Sequence, residues 1–520
     1  MIENRFKKHI LVFVFIVPLL LSSGCINISD NENNPDSTKD TLVLGVMSAD
    51  SIYPLDMTDT NYWTIFPNVF NGLVEFDENF RVIPALAVSW NNPDTLSWRF
   101  FLREGVKFHN GDDFTAEDVR FSLDNMSNRF DTIIEDIIVL DSYTIIFKTF
   151  EPYPGLLERL AHVGTIYCKN SSEQPGEQGL IGTGPYRIAD YEIGNYTTLE
   201  WFDDYWGEEP EVKTVVFRVI EDDEQRVNAL LSGVIDVAEY NIDDTIDQLQ
   251  QERNITVVAY PPLSTYIIGF DTRENGSYGY PDGMNPTADP RVRKAIYQAI
   301  DIAPLIAGPF KGFAQPASQF ITHYIFGYNP TIERLPYNVT ASRQLLSDAG
   351  YEDGFDIVMD SITEGYNYNL ENCEMIVEQL SQVGIHVTLN QLSYTEFDTQ
   401  VIGERNTSMY LVGWGTISVD GGWVYDLFIR SVGENMGQLN TGYYSNAEVD
   451  RLGIAATHEM DPQERLPLLQ KGFRIALVDD VVVVPLFAQE LFILTAADVD
   501  LVPRADQRIV VKDIGFTYGI

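Results

Sequence analysis

IPALAVSWNNPDTLSWRFFLREGVKFHNGDDFTAEDV, residues 83–119, decides how the rest of this 520-residue chain is read. It opens on a short apolar, strand-like segment. A turn follows, then a strand alternating around Trp98, Arg99, Phe100, Phe101 and Leu102. Asn110-Gly111 supplies a second turn. Thr115 then stands as an N-cap with Asp118 three residues on, a spacing at which each side chain can take the other's backbone N–H.

Outward from that stretch, strand-like and helical patterns alternate, which argues for α/β lobes. Residues 42–47 read as a strand, and 66–74 as a short helix entering the next one. Residues 224–237 read as an amphipathic helix with Val227, Leu230 and Leu231 inward, ended by Gly233 and followed by a strand from Asp236. Asp289-Pro290 opens a helix with Val292, Ile296 and Ala299 on one face. A helix over 371–383 places Cys373, Ile376, Leu380 and Val383 on one stripe, with Gly384 as its cap and a strand behind it. Residues 481–487 are a buried β run. The glycines of Gly182-Thr183-Gly184-Pro185 are not a phosphate loop, because no Lys-Ser/Thr follows and no helix opens behind them; Pro185 supports a tight turn into a strand.

Several of these phrases together resemble the family-5 extracellular solute-binding proteins, the peptide- and nickel-type receptors of ABC importers. The family's P-x-LA-x-SW, LR-x-GVKFH-x-G and TA-x-DV stand here as residues 84–90, 102–111 and 115–119. Its NVYEGL segment is similar to residues 68–73, its GTGPY to 182–186 and its D-x-YW-G to 203–207. Its DPRVRKAI-x-x-AID is similar to 289–301. The resemblance covers about residues 41–515 and implies a two-lobed, periplasmic-binding-protein-like α/β fold of the large type II class, with mixed sheets and two hinge crossings. Lobe I would take 41–75, 184–270 and 493–520, with 76–183 inserted as a subdomain. Lobe II would take 271–492, and the crossings would fall near 268–271 and 486–489. It implies a carrier that grips a solute between lobes and releases it unchanged, so no catalytic residue and no cofactor is expected.

A cleft between lobes needs apolar walls with a few placed polar groups. Val412-Gly413-Trp414-Gly415, continuing through Asp420, Trp423 and Tyr425, fits best: glycines allow close backbone approach and indoles supply flat surface. Ordinary core packing of Trp414 and Trp423 beside a turn is the competing reading. The family carries W-x-x-D here, and in its peptide binders that Asp pairs with the ligand's amino terminus. Ile417 takes that place, and the first acid is Asp420, either a cation partner or a turn residue. Tyr62 and Trp63 align with the family's pocket-facing loop, and Tyr266 and Phe487 lie near the crossing strands; these complete the candidate ligand set.

The formal charge is −43, from 77 acidic and 34 basic residues. That argues against nucleic acid as a ligand, because phosphate binding needs clustered Lys and Arg, and for a soluble, self-repelling surface; a monomer is expected. No HxH, HExxH or GxSxG occurs, and no Walker A motif; the implied permease and ATPase partners would be separate chains. Cys168 and Cys373 match no metal spacing; one disulfide or two isolated buried thiols both fit. At the N-terminus, Arg5, Lys7 and Lys8 precede an apolar run over 10–21 that is short for a membrane span. Ser22-Ser23-Gly24-Cys25 resembles a lipobox with its aliphatic residue one place early, at Leu21. Residues 1–24 then read as a lipoprotein-type signal peptide, Cys25 as the lipidated residue and 25–40 as a flexible tether; an uncleaved anchor is the alternative. Both place the remainder outside the cytoplasmic membrane.

The sequence therefore reads as a membrane-tethered binding component of an ABC importer for a peptide or peptide-like solute. The rival readings are a nickel or metal-chelate receptor of the same family, a secreted hydrolase and a ligand-sensing receptor.

Overall fold

In the computed structural model the described residues are 39–48, 64–171, 181–240, 245–275, 278, 284–363, 367–415, 420–433 and 436–517. Tyr62, Trp63 and Cys25 lie outside them. The backbone of this α/β fold is a mixed sheet whose order, by strand, is Tyr186–Glu192, Tyr196–Trp201, Thr214–Val219, Thr41–Val46, Val237–Tyr240, Val483–Ala496, Ile255–Phe270, Met409–Gly415, Phe355–Ile362 and Ile385–Leu392; Ala314–Pro316 pairs with Val483–Ala496 off this path.

Two long antiparallel strands, Ile255–Phe270 and Val483–Ala496, join the halves of that sheet. At one end Ile255 pairs with Ala496 and at the other Gly269 pairs with Val483. The register breaks between Tyr260 and Ser264, where Pro261 and Pro262 stand. Proline has no N–H to give to a ladder, so the pair interrupts the strand's hydrogen bonding there. The crossing of the first strand thus lies earlier than residues 268–271, which sit well inside the second half opposite Met409–Gly415. A separate antiparallel sheet of Ala87–Asp94, Ser97–Leu102, Thr144–Thr149 and Ile134–Asp141 stands within residues 76–183.

Local signals set most elements. Thr115 and Asp118 form the capping box of the helix Ala116–Asn125. Asp118 also accepts from the backbone N and the Nζ of Lys169, each at 3.1 Å, which ties the helix start to a distant segment. Asp289 caps Pro290–Ala299, with Pro290 in its first turn. Cys373, Ile376 and Leu380 are fully buried on Asn367–Ser381, and Gly384 beyond it has φ +88°. The helix after Asp222 spans Asp223–Leu231, and here the inward face differs from the expected one. Leu231 is exposed, and Arg226 is fully buried in its stead. Its stem packs on Gly45 while its guanidinium donates to the carbonyls of Glu239 and Ile220 and pairs with Asp223. A charged side chain that satisfies buried carbonyls at its tip can occupy a core position that hydropathy assigns to leucine.

The short phrases that carried the family resemblance interlock. A Cβ on Gly182 would lie 2.0 Å from the Val69 carbonyl oxygen, and one on Gly184 2.4 Å from Val69 C, so only glycine lets this turn lie on the 66–70 backbone. Gly184 N donates to Val69 O at 2.9 Å. His109 N donates to Gly182 O, and its Nε2 lies 3.0 Å from Gly184 O. Asn71 Oδ1 accepts from Thr183 Oγ1 and from Trp206 Nε1, each at 3.1 Å. Asn68 Oδ1 accepts from Val511 N at 2.8 Å, holding the C-terminal segment. These motifs hold the fold together.

Burial, more than the Gly184 hydrogen bond opposes it, lowers His109 to about 4. The folded state therefore excludes the proton that the unfolded chain takes up near pH 6.5. Stability from this site is present above that pH and is lost as pH falls from 6.5 through 4. The expected loss is about 1 kcal/mol, allowing for the ring's partial exposure. Urea midpoints at pH 7.5 and 4.5 check it: His109→Gln should show a smaller acid shift than the wild type, and equal shifts would remove His109 as the cause.

Cys168 and Cys373 are both free and buried. Burial raises both thiols, Cys373 to about 11, which keeps them as inert packing groups.

Candidate functional site: a cavity on the Trp414 strand

The strand Met409–Gly415 runs antiparallel to Ile255–Phe270, with Trp414 opposite Thr265, Gly413 opposite Tyr266 and Gly415 opposite Ser264. A Cβ on Gly413 would fall 2.8 Å from the Tyr266 ring, so the bare backbone is what lets that ring lie across the neighbouring strand. A cavity of about 470 Å³ borders this end of the strand. Trp414, Gly415, Tyr266, Ser264 and Gln489 line it from the sheet; Asn369, Tyr394 and Asp398 line it from the helices above. That volume is in the range of small-molecule sites.

The lining is aromatic with few polar groups. Trp414 is half-buried, its ring edge-on to Phe428 at 4.6 Å. Its Nε1 has no hydrogen-bond partner among the described residues. Tyr266 donates its hydroxyl to Gln489 Oε1 at 3.2 Å. Asn369 is nearly fully buried; its amide nitrogen donates to the Ile362 carbonyl, and its Oδ1 has no partner among the described residues.

The sequence-predicted residues divide into two groups. Trp414, Gly415 and Tyr266 line the cavity. Phe487 is fully buried behind Tyr266, its ring stacked on the tyrosine at 5.0 Å, and so supports the wall from the core. Tyr425 is fully buried too; its hydroxyl donates to Val449 O at 2.8 Å, its ring packs on Phe473 and Gly472, and burial pushes its pKa up. Tyr425 is a core residue here and does not reach the cavity. Trp423 is partly buried against the same core and is not part of the cavity lining.

Asp420 is also buried, and its carboxylate is engaged. Oδ1 accepts from Gly422 N at 2.9 Å, capping the helix Gly421–Val424, and Oδ2 accepts from Arg465 Nη2 at 2.8 Å. Arg465 is equally buried; its Nε donates to Ala456 O, and its guanidinium lies over the Phe326 ring. Gly155 lies against the same carboxylate, since a Cβ there would sit 2.5 Å from Asp420 Oδ2. Asp420 therefore joins the segment after residue 150 to the second half of the sheet. Of its two expected roles, the structure displays the turn-and-cap one. Burial, with Asp420 nearby, pushes Glu158 up to about 7.

Asn369, Asp398 and Gln489 were not among the residues picked from the sequence. Asn369 precedes the helix expected over 371–383, and Asp398 lies in a segment to which the sequence reading assigned no element. Gln489 lies within the expected crossing at 486–489, a signal that pointed to aromatic Phe487 first. Among the described residues, no cluster of His, Cys, Asp and Glu could hold a metal ion, and no helix is long and apolar enough to cross a membrane.

An α/β sheet in two halves joined by paired crossing strands, with an aromatic cavity beside them, is the arrangement of a two-lobed binding fold. The family model for bacterial extracellular solute-binding proteins, family 5 (middle), matches residues 81–435, and the chain belongs to that family. It is similar to the glutathione-binding protein GsiB of Salmonella typhi, 26% identical over 454 residues, which cover 84% of this chain and 86% of that protein. Its fold matches HbpA2 from Haemophilus parasuis with a TM-score of 0.81 at 21% identity, covering 92% of this chain and 100% of that one. It also matches the periplasmic binding protein DppA of Helicobacter pylori in complex with the peptide STSA, with a TM-score of 0.69 at 24% identity, over 92% and 98% of the two chains.

Proposed function

We propose that this protein is the substrate-binding component of an ABC importer, that its cargo is a peptide or peptide-like solute held between two lobes, and that it hands this cargo to a permease unchanged. The observation that carries the reading is the cavity of about 470 Å³ walled by Trp414, Tyr266 and Gly415 beside the crossing strands. An aromatic wall with sparse polar groups suits a solute that alternates apolar side chains with hydrogen-bonding backbone. The relatives support the same class, since one is named for glutathione, itself a peptide, and another was solved with a peptide. The lobes proposed are 41–75, 184–260 and 493–520 with 76–183 inserted, against 264–492, the boundary on the first crossing strand being set at the Pro261-Pro262 interruption.

The chain works as a monomer in this reading, tethered to the outer face of the cytoplasmic membrane through lipid on Cys25. A diacylglyceryl group contributes about 0.8 kcal/mol per buried methylene. Cys25→Ala is therefore expected to move the protein from the membrane to the soluble fraction, and unchanged fractionation would favour an uncleaved anchor.

Thermal shift against a panel of short peptides and nickel chelates tests the cargo class. Peptides are expected to raise Tm and to be recovered intact by mass spectrometry. Stabilisation by chelates alone would favour the nickel-type reading, and cleaved peptide a hydrolase.

A further inference from the structure

We propose that the segment 151–159 and the buried Asp420–Arg465 pair form a latch that holds the two lobes closed, and that a proton on Glu158 sets its strength. The proposal rests on the division into lobes given above, in which Glu158 lies in the inserted subdomain and Asp420 in lobe II. The contact is close: a Cβ at residue 155 would sit 2.5 Å from Asp420 Oδ2, so Gly155 is what admits the carboxylate. Gly155 is also the N-cap of the helix Leu156–Val163. The carboxylate therefore stands at the positive end of a helix from the other lobe, while Arg465 holds the same oxygen at 2.8 Å from within lobe II. Glu158 is in the first turn of that helix. The residue as a whole is half-buried, but its Oε2 is shielded from solvent and has no hydrogen-bond partner among the described residues. Two carboxyl groups thus share one contact between lobes, and of the two only Asp420 is paired with a cation among the described residues.

Burial first, and then the Asp420 charge, raise Glu158 from its ordinary 4.5 to about 7. Parting the lobes takes Asp420 away and returns the carboxyl toward water, so the closed form binds the proton more tightly than the open one. The latch is therefore strongest below pH 4.5 and weakens as pH rises through 7. The other charged and titratable groups at the contact do not reproduce this dependence. On the same segment, burial raises Tyr153 to about 12 and holds His162 well below its usual range, so both stay neutral near pH 7. The guanidinium groups of Arg159 and Arg465 are fixed charges. Burial raises Asp426, but its partners Arg430 and Thr457 belong to its own lobe. His458 Nε2 lies 3.9 Å from Glu151 Oε2 across the lobes; this pair also gains from acid, but it is exposed and adds little.

Closure is read on the full chain, without cargo, by resonance energy transfer between two dyes. They are carried by Thr95→Cys in the inserted subdomain and Glu352→Cys in lobe II, both exposed positions, while Cys168 and Cys373 are buried and stay unlabelled. At constant ionic strength the protein with native Glu158 is expected to shift its closed-to-open ratio about tenfold toward closed between pH 8 and pH 5.5, a figure reduced for the half-buried side chain. Glu158→Gln, a neutral stand-in for the protonated carboxyl, is expected to stay closed across that range with no pH dependence, and His458→Gln to keep most of it. A flat response with native Glu158, a dependence that survives in Glu158→Gln, or one that His458→Gln removes would overturn the assignment. Dyes that respond to a stabilising peptide but not to pH overturn the latch alone; dyes that respond to neither overturn the two-lobe reading with it.

Discussion

Asp420→Asn is expected to destabilise the protein by about 3–5 kcal/mol, the range for removing one partner of a buried ion pair. The side chains of Asp420 and Arg465 are 8% and 7% exposed, so the change leaves a buried guanidinium without the carboxylate it pairs with. It also replaces an acceptor-only group at the cap of Gly421–Val424 and beside Gly155. The urea midpoint should fall without a comparable change in slope. Replacing both members, as Asp420→Asn with Arg465→Met, should cost less than Asp420→Asn alone, because no charge is then stranded. A variant of Asp420 that keeps wild-type stability but loses cargo would return this residue to the ligand site.

Trp414→Ala carries the largest expected effect on binding, a loss of about 1–3 kcal/mol, the range for deleting a large aromatic contact. Its indole is half-buried and lines the cavity, with an edge-on contact to Phe428. Some stability should go with it, but less than in Asp420→Asn, since no charge is left unpaired. Calorimetric titration of one peptide into both proteins, with thermal melts alongside, separates the terms. Wild-type affinity in Trp414→Ala would remove this wall from the site. Lost affinity accompanied by a collapse in Tm would mark Trp414 as a packing residue.

The contrast between these two positions shows how much of the site could be read in the sequence. The glycines flanking Trp414 and the aromatic at Tyr266 announced close backbone approach and flat surface, and they do line one cavity. Asp420 and Tyr425, a few residues on, looked equally suited, yet both face the interior. What decided between them was Arg465, far along the chain, and the carbonyl of Val449; a tertiary partner of that kind leaves no local pattern. The same limit explains Arg226 and Leu231, where a guanidinium finds buried carbonyls that hydropathy does not register. Caps were the most legible features, because Thr115 with Asp118 and Asp289 with Pro290 act within one helical turn. The crossing was expected in this pair of strands, and the pairing places it earlier on the first of them. Pro261-Pro262, which interrupts the ladder, was the local signal for its place.

The claim at the centre of this account is that the protein holds an unmodified peptide-like solute on the Trp414 wall. Native mass spectrometry of the protein purified gently from its own host tests it most directly. The complex should release, on activation, a small non-covalent mass that fragments as a peptide or peptide derivative, and the same preparation of Trp414→Ala should carry little of it. A released metal chelate, or a peptide-like mass retained equally by Trp414→Ala, would contradict the account.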